Sequence, residues 1–195
     1  MNAADGGCSD EVIAGQVCSG QKELFRLLVR RFQRPVYAMG LSFFRNAEEA
    51  SDFSQEVFLK VYRSLSRFEG RSRFSTWLYK IAYNTALNET RRRRDFCSLV
   101  ALNSSADEYE AADNDTPERR MIRAVIKETV LDSIKELPER YRICIDLFFF
   151  YDCSYREIQA ITGFPVNTVK SHVLRAKKIL KEKLNDINER GFWNE

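Results

Sequence analysis

Hydrophobic residues recur at intervals of three and four along most of the chain, which is the spacing of one face of an α-helix. The pattern is clearest between residues 46 and 65, where the apolar positions are Ala50, Phe53, Val57, Val61 and Leu65. The same spacing predicts helices over 10–18, 21–34, 46–65, 74–93, 119–136, 139–150, 154–161 and 166–185, with a further helical stretch ending at Phe44. No segment shows the strict alternation of a strand, so the sequence predicts an all-α fold.

Local signals mark where some of these helices begin and end. Pro35 lies inside a helical pattern, and we expect it to break or kink the helix because proline lacks an N–H donor and clashes with the preceding turn. Ser154 and Glu157 have the spacing of a capping box, which marks a helix start. Gly163 and Pro165 punctuate the gap before the last helix.

One segment has no period at all. Residues 95–118 are rich in Asp, Asn, Ser and Ala, and we interpret them as a flexible linker. The sequence therefore predicts two small helical domains, 1–94 and 119–195, joined by this linker. A chain of 195 residues that is 44% hydrophobic has enough apolar material for both cores.

Composition excludes several classes of protein. No apolar run approaches the ~20 residues that a membrane span needs. The first ten residues include two acidic residues, no basic residue and no apolar segment, so they do not resemble a signal peptide. We therefore expect a cytoplasmic protein.

The net charge of +3 conceals a strong segregation of charge. Segment 60–94 holds ten Lys or Arg against two acids, segment 95–118 holds seven acids and no base, and segment 165–183 holds six bases and one acid. Two basic blocks separated by an acidic stretch suggest two contacts with a polyanion. Two ordinary solvated helix faces are the alternative.

The residues that carry metal or catalytic chemistry are sparse. The chain has five cysteines without a CxxC pair and a single histidine, His172, so a zinc site is poorly supplied. We expect reduced thiols, with Cys144 in a core. No phosphate-binding loop, catalytic carboxylate pair, or Ser/His or Cys/His arrangement is visible. The sequence thus predicts neither an enzyme nor a cofactor, and no small-molecule substrate.

The C-terminal part has the proportions of a helix-turn-helix, formed by 154–161, a turn at 162–165 and a helix over 166–182. In that motif the second helix enters the major groove. Four residues form a polar stripe suited to the groove: Lys170, Ser171, Arg175 and Lys178. Five others can face the core: Val166, Val169, Val173, Ala176 and Leu180. A plain three-helix bundle with a basic surface remains the alternative.

Several ordered motifs resemble a known family. FSQEVFLKVYR at 53–63, FEG at 68–70, FSTWLYKIAYN at 74–84 and the arginines 91–94 look like conserved region 2 of bacterial sigma factors. LPERYR at 137–142, SYREI at 154–158 and NTVKSHVLRA at 167–176 look like region 4. Regions 1.1, 1.2 and 3 are absent, as is typical of the extracytoplasmic-function (group 4) sigma factors.

The resemblance implies a polymerase subunit that recognises promoters and helps to melt DNA. Asp52, Gln55 and Glu56 are expected to bind core RNA polymerase at the β′ clamp helices, and the β flap is a further expected contact. Many members have Arg where this chain has His172, which removes a permanent charge. A stand-alone helix-turn-helix regulator of duplex DNA is the alternative function.

The resemblance also implies two sets of DNA contacts. The minus-ten set surrounds a base flipped from the non-template strand and holds the nearby phosphates: Phe68, Glu69, Gly70, Arg71, Ser72, Lys80, Asn84, Asn88, Arg91 and Arg92. The minus-thirty-five set reads duplex DNA in the major groove: Lys170, Ser171, His172, Leu174, Arg175 and Lys178. Phe68 packed as an ordinary turn aromatic is the alternative to a base contact, and we expect Trp77 to be a core residue.

Two further expectations follow from the resemblance. Linkers of such proteins thread through core polymerase, so the acidic segment 95–118 is a candidate mimic of nascent RNA, with a simple spacer as the alternative. Members are commonly restrained by an anti-sigma factor, which can hold them at the inner face of the membrane.

Overall fold

The computed structural model describes residues 8–97, 130, 133–134 and 136–187, with side chains described as far as residues 93 and 183 in the two parts. The chain divides into two units, Met1–Asp107 and Glu108–Glu195. Within the described residues the regular structure is entirely helical. The prediction of an all-α fold is confirmed.

The described residues of the first unit form four α-helices: α1 (Asp10–Cys18), α2 (Phe25–Phe44), α3 (Ala47–Ser64) and α4 (Phe74–Cys97). Polar caps start two of them, because the first N–H groups of a helix lack partners within the helix. The Ser9 side chain accepts from Val12 N–H in α1, and the Asn46 side chain accepts from Glu49 N–H in α3 at 2.9 Å.

Helix α2 runs through Pro35 without a break, so of the two outcomes expected at this proline, a break or a kink, the break is wrong. The apolar stripe continues on both sides of the proline, and Leu28, Phe32, Val36 and Met39 are all buried. Burial of these four side chains in one core holds the two halves of the helix in register, which outweighs the local cost of proline.

Helices α2 and α3 approach each other closely at Gly40. A Cβ atom at this position would lie 2.8 Å from Phe53 Cδ1 and 3.0 Å from Ala50 Cα. Only glycine leaves room for such an approach, so this residue sets the spacing of the two helices. The aromatic rings of Phe32, Phe74 and Tyr79 fill the core beneath α4.

The second unit contains α5 (Glu139–Phe149), α6 (Tyr155–Thr162) and α7 (Val166–Ile187). Its core includes Leu137, Ile145 and Ala176, with Tyr141, Ile179 and Leu180 packed against them. The predicted capping box is present: Glu157 N–H donates to Ser154 Oγ, and Ser154 N–H donates to a Glu157 carboxylate oxygen. Gly163 ends α6 at φ 79°, in the left-handed region that glycine favours.

Helix α4 continues to Cys97 and so includes the first three residues of the segment interpreted as a linker. The remainder of the predicted linker, and most of the predicted helix 119–136, lie outside the described residues. Cys144 is buried, as predicted. No described helix is both long and apolar enough to cross a bilayer.

Candidate nucleic-acid interface

Helix α4 has a buried face and a polar face on opposite sides. Leu78, Ala82 and Ala86 are completely buried at spacings of four. The predicted minus-ten residues of this helix all lie on its exposed side: Lys80, Asn84, Asn88, Arg91 and Arg92. These residues therefore form one polar surface, defined here as the α4 surface, that is open to a polyanion.

The arginine run does not act as a single block. Arg93 pairs with Glu49 of α3 and with Glu89, and its guanidinium lies 5.0 Å from the centre of the Phe44 ring. Arg92 is exposed and pairs only at the surface, with Glu89 at 3.0 Å. Arg93 thus ties α4 to α2 and α3, and its charge is paired within the first unit.

The turn before α4 is built on an aromatic cluster. Phe68 is half-buried, and its ring lies edge-on to Phe74 at 5.6 Å and tilted against Trp77 at 5.3 Å. The other predicted residues of the turn are exposed: Glu69, Gly70, Arg71 and Ser72. These four residues directly follow Phe68, whose ring is packed against Phe74 and Trp77. The packed ring anchors the start of the exposed turn.

A carboxylate that sequence reasoning missed caps α4. Glu11 of α1 accepts a hydrogen bond at its Oε1 atom from Phe74 N–H at 2.9 Å. This hydrogen bond, together with the charge of Arg73, lowers the pKa of the Glu11 carboxyl. Because the partners are 63 residues apart, no local sequence signal identifies the pair.

The predicted polymerase-binding residues share one face of α3. Asp52, Gln55 and Glu56 are exposed, and Glu56 pairs with Lys60 of the same helix at 2.7 Å. Leu59 and Tyr62 lie on the same face and are also exposed, Leu59 to 56%. Sequence reasoning missed these two residues, although apolar positions off the core stripe are a signal for a contact surface. The five residues together are defined here as the α3 surface.

Helix α7 separates its buried and exposed residues as predicted. Val169, Val173 and Ala176 are buried in the second unit. Five of the six predicted DNA-reading residues lie exposed on one side: Lys170, Ser171, Leu174, Arg175 and Lys178. This side is defined here as the α7 surface. Leu174 is 69% exposed, which suits an apolar contact with a base methyl group.

His172 does not belong to the α7 surface. Its side chain is 8% exposed and is packed inside the second unit. The expectation of an exposed histidine is wrong because its position on α7 turns the ring towards α5 rather than towards solvent. Neighbouring residues of a helix point about 100° apart, so Ser171 faces outward and His172 inward.

The described residues contain no group of three or more His, Cys, Asp or Glu side chains placed to hold a metal ion. The arrangement is that of three separate surfaces: a mixed acidic and apolar one on α3 and two polar, basic ones on α4 and α7. Such surfaces bind macromolecules through charge and apolar contact.

Two family models match this chain. The model for Sigma-70 region 2 matches residues 28–96, and the model for Sigma-70, region 4 matches residues 127–180. The first match includes the α3 and α4 surfaces, and the second includes the α7 surface.

Similar proteins extend over nearly the whole chain. The chain is 37% identical over 183 residues to the RNA polymerase sigma-H factor of Pseudomonas aeruginosa, covering 91% of this chain and 95% of that protein. It is 35% identical over 187 residues to the ECF RNA polymerase sigma-E factor of Escherichia coli K12, covering 93% and 97%.

Two solved structures share the fold. The sigma factor RpoE in complex with the anti-sigma factor NepR from Bartonella quintana matches with a TM-score of 0.68 at 22% identity, over 83% of this chain and 96% of that one. CnrH in complex with the cytosolic domain of CnrY matches with a TM-score of 0.63 at 22% identity, over 91% and 97%.

Proposed function

Because the chain belongs to the extracytoplasmic-function type of the sigma-70 family, and so directs RNA polymerase to promoters for transcription initiation, we propose that its three surfaces divide this task. Sigma factors bind core RNA polymerase and promoter DNA and are not enzymes. The proposal assigns the α3 surface to polymerase, the α4 surface and its preceding turn to the minus-ten element, and the α7 surface to the minus-thirty-five element.

The α7 surface is the observation that carries this assignment. Five residues chosen from the sequence lie exposed on one side of the second helix of a helix-turn-helix, while the opposite side is buried. Lys170 and Arg175 can donate hydrogen bonds to the acceptor atoms on the major-groove edge of guanine. Ser171 can contact either a base or a phosphate. Lys178 is placed to hold the backbone.

Capture of an unpaired base explains how a protein without catalytic chemistry promotes melting. Phe68 provides the aromatic wall of the turn, and its contacts with Phe74 and Trp77 keep that wall rigid. Asn84 offers an amide to the edge of the base. The α4 surface then holds the phosphates of the displaced strand.

The α3 surface combines charge with exposed apolar area, as an interface with a protein partner requires. Asp52 and Glu56 are suited to basic residues of the β′ clamp helices, while Leu59 and Tyr62 add apolar contact. The β flap is the expected contact of the second unit.

Restraint by an anti-sigma factor is a further part of the proposal. The structures of RpoE and CnrH that share this fold are complexes with an anti-sigma factor and with the cytosolic domain of CnrY. A partner of this kind would cover the α3 surface and so exclude polymerase. We place the protein in the cytoplasm, where polymerase and promoters lie, with retention at the inner membrane face as a consequence of such a partner.

The test starts from purified protein, sigma-free core RNA polymerase and sheared genomic DNA of the source, with the 5′ ends of transcripts sequenced. We expect discrete starts that share two upstream elements and appear only when the protein is added. Absence of added starts together with no co-elution with core would overturn the proposal and favour a stand-alone regulator of duplex DNA.

Variants then assign the surfaces. Asp52→Ala with Glu56→Ala should abolish co-elution with core, whereas Glu23→Ala, which removes an exposed carboxylate elsewhere in the same unit, should not. Lys170→Ala with Arg175→Ala should remove the contribution of the upstream element while co-elution persists. Lys22→Ala, which removes one exposed positive charge outside the second unit, is the control for the second pair.

A further inference from the structure

A buried imidazole lies in the helix that carries the α7 surface. His172 Nδ1 lies 3.7 Å from Cys144 Sγ of α5. The imidazole centre is 5.1 Å from the Tyr141 ring of α5 and 5.4 Å from the Phe164 ring in the turn before α7. One side chain therefore joins α7 both to α5 and to the turn of the helix-turn-helix.

The surroundings determine the protonation of the pair. Cys144 is completely buried, and burial raises its thiol pKa to about 12. The thiol therefore stays protonated, and at 3.7 Å it can donate its S–H to Nδ1 when the imidazole proton is on Nε2, which is the tautomer that we assign to this pair. Burial of His172, with the charges of Arg140 and Arg175, lowers the imidazole pKa and keeps the ring neutral.

Tyr141 connects this buried pair to the exposed side of α7. Its ring packs against His172, and its hydroxyl oxygen accepts a hydrogen bond from Arg175 Nη1 at 3.2 Å. His172 and Arg175 are three residues apart on α7, so they are neighbours on the helix surface. A rotation of α7 on α5 would displace the buried ring and the guanidinium together.

We propose that neutral His172 is a positioning residue for duplex recognition: with Cys144 and Tyr141 it sets the rotation of α7 on α5, and thereby the direction in which Arg175 and the rest of the α7 surface point. This inference rests on the proposed DNA-reading role of the α7 surface. It also replaces the direct DNA contact expected of His172 from the sequence.

Protonation of the ring would disrupt this arrangement. An imidazolium carries a proton on Nδ1, which would then face the S–H of Cys144 with no strong acceptor between them. The charged groups that act on the ring, Arg140 of α5 and Arg175 of α7, are both cations. The titratable groups in contact with it are the Cys144 thiol and the Tyr141 phenol, and the turn contributes only the apolar Phe164. A charged ring is therefore unfavourable in this site.

Nuclear magnetic resonance tests the buried pair without any DNA. The chain has one histidine, so ¹⁵N-histidine labelling of the full-length protein gives a single imidazole. We expect the Nε2–H tautomer, titration below the ordinary value of 6.5, and a shifted Nδ1 signal in Cys144→Ala but not in Cys144→Ser. An imidazole that exchanges between tautomers, titrates normally and ignores Cys144→Ala would overturn the inference.

Transcription tests the positioning role. The full-length protein and core polymerase are assayed on a promoter identified by mapping transcript starts. Initiation is measured on two versions of this promoter, one with the upstream element intact and one with it replaced, and the ratio of the two is compared between proteins. The intact-to-replaced ratio of initiation should fall about threefold or more between about pH 7.5 and about pH 5.5 for the wild type. His172→Asn, which keeps an acceptor for the thiol but does not titrate, should hold its ratio. Equal pH responses of the two proteins would contradict the inference.

Two controls separate the inference from the function on which it rests. If Lys170→Ala with Arg175→Ala leaves the ratio unchanged, the proposed DNA surface itself is wrong. If that pair lowers the ratio and the His172 variant does not respond as expected, only the positioning role is wrong. Should His172→Asn fail to fold by circular dichroism, Cys144→Ser and Cys144→Ala replace it, with the ratio retained in the first and lowered in the second.

Discussion

Glu11 Oε1 accepts a hydrogen bond from the main-chain N–H of Phe74 at 2.9 Å, so a residue of α1 caps the start of α4. The first N–H groups of a helix have no partners within the helix and favour negative charge. The turn of residues 68–73 ends at this point. Glu11, which belongs to neither the turn nor α4, therefore fixes the point at which the turn ends and α4 begins.

Glu11→Ala should lower the free energy of unfolding of the protein by about 1–2 kcal/mol, because it removes a charged cap from α4. Glu11→Gln should cost less, since the amide oxygen still accepts from Phe74 N–H. Urea unfolding followed by circular dichroism measures both. Glu23→Ala removes an exposed carboxylate and serves as the control. An equal loss of unfolding free energy in Glu11→Ala and Glu23→Ala would show that Glu11 has no special role as a cap.

The same carboxylate has a pH signature with a defined sign. Its pKa is lower in the folded protein than its ordinary value of 4.5, so its stabilising contribution is present above that value and is lost as the pH falls through the folded pKa. The difference in stability between wild type and Glu11→Gln should therefore shrink between about pH 5 and about pH 3. A difference that stays constant over this range would show that the charge of Glu11 contributes nothing.

Gly40→Ala should destabilise the first unit by about 1–3 kcal/mol, because the new Cβ would lie within 3.0 Å of both Phe53 and the Ala50 backbone. Gly15→Ala at an exposed position of α1 is the matched substitution, since a Cβ there meets no atom within 4 Å. It should stabilise by about 0.5–1 kcal/mol through helix propensity. Thermal and urea unfolding of the two variants measure this contrast. Destabilisation of the same size in both would contradict the close approach of α2 and α3.

Substitution of Arg92 and of Arg93 should have different effects on stability and on DNA binding, although the two residues are adjacent. Arg93→Ala should cost about 1 kcal/mol of stability, because it breaks the pairs with Glu49 and Glu89 and the contact with the Phe44 ring. Arg92→Ala should leave stability almost unchanged and weaken binding to single-stranded DNA, with a shallower salt dependence. Filter binding at several salt concentrations, beside urea unfolding, distinguishes the two. The prediction fails if both variants lose stability equally.

The stability of the second unit should fall on mild acidification. His172 has a lower pKa in the folded protein than the ordinary value of 6.5, so below that value the unfolded chain takes up the proton first. Stability then decreases until the pH falls below the pKa of His172 in the folded protein. Because one proton is involved, the unfolding equilibrium constant rises by at most about tenfold per pH unit. Unfolding of wild type and His172→Asn between about pH 7.5 and about pH 5 measures this, and parallel curves would exclude the histidine as the cause.

The local features of the fold were predictable because they depend on residues close together in the chain. The capping box of Ser154 and Glu157, the buried row of Val169, Val173 and Ala176, and the exposed positions Lys170 and Arg175 all follow from a period of 3.6 residues and from cap chemistry. The ordered motifs that resemble the sigma factors added the family, and similarity over most of the chain confirms it.

The amino-acid sequence by itself thus determined the helical class, the family and the outward faces of α3, α4 and α7. Only the tertiary structure decided that α2 continues through Pro35, that Glu11 caps α4, that Arg93 pairs with Glu49 and that His172 is buried beside Cys144. Each of these depends on which helices meet and at what rotation. The partners are 63, 44 and 28 residues apart for Glu11, Arg93 and His172, and helical periodicity carries no information over such distances.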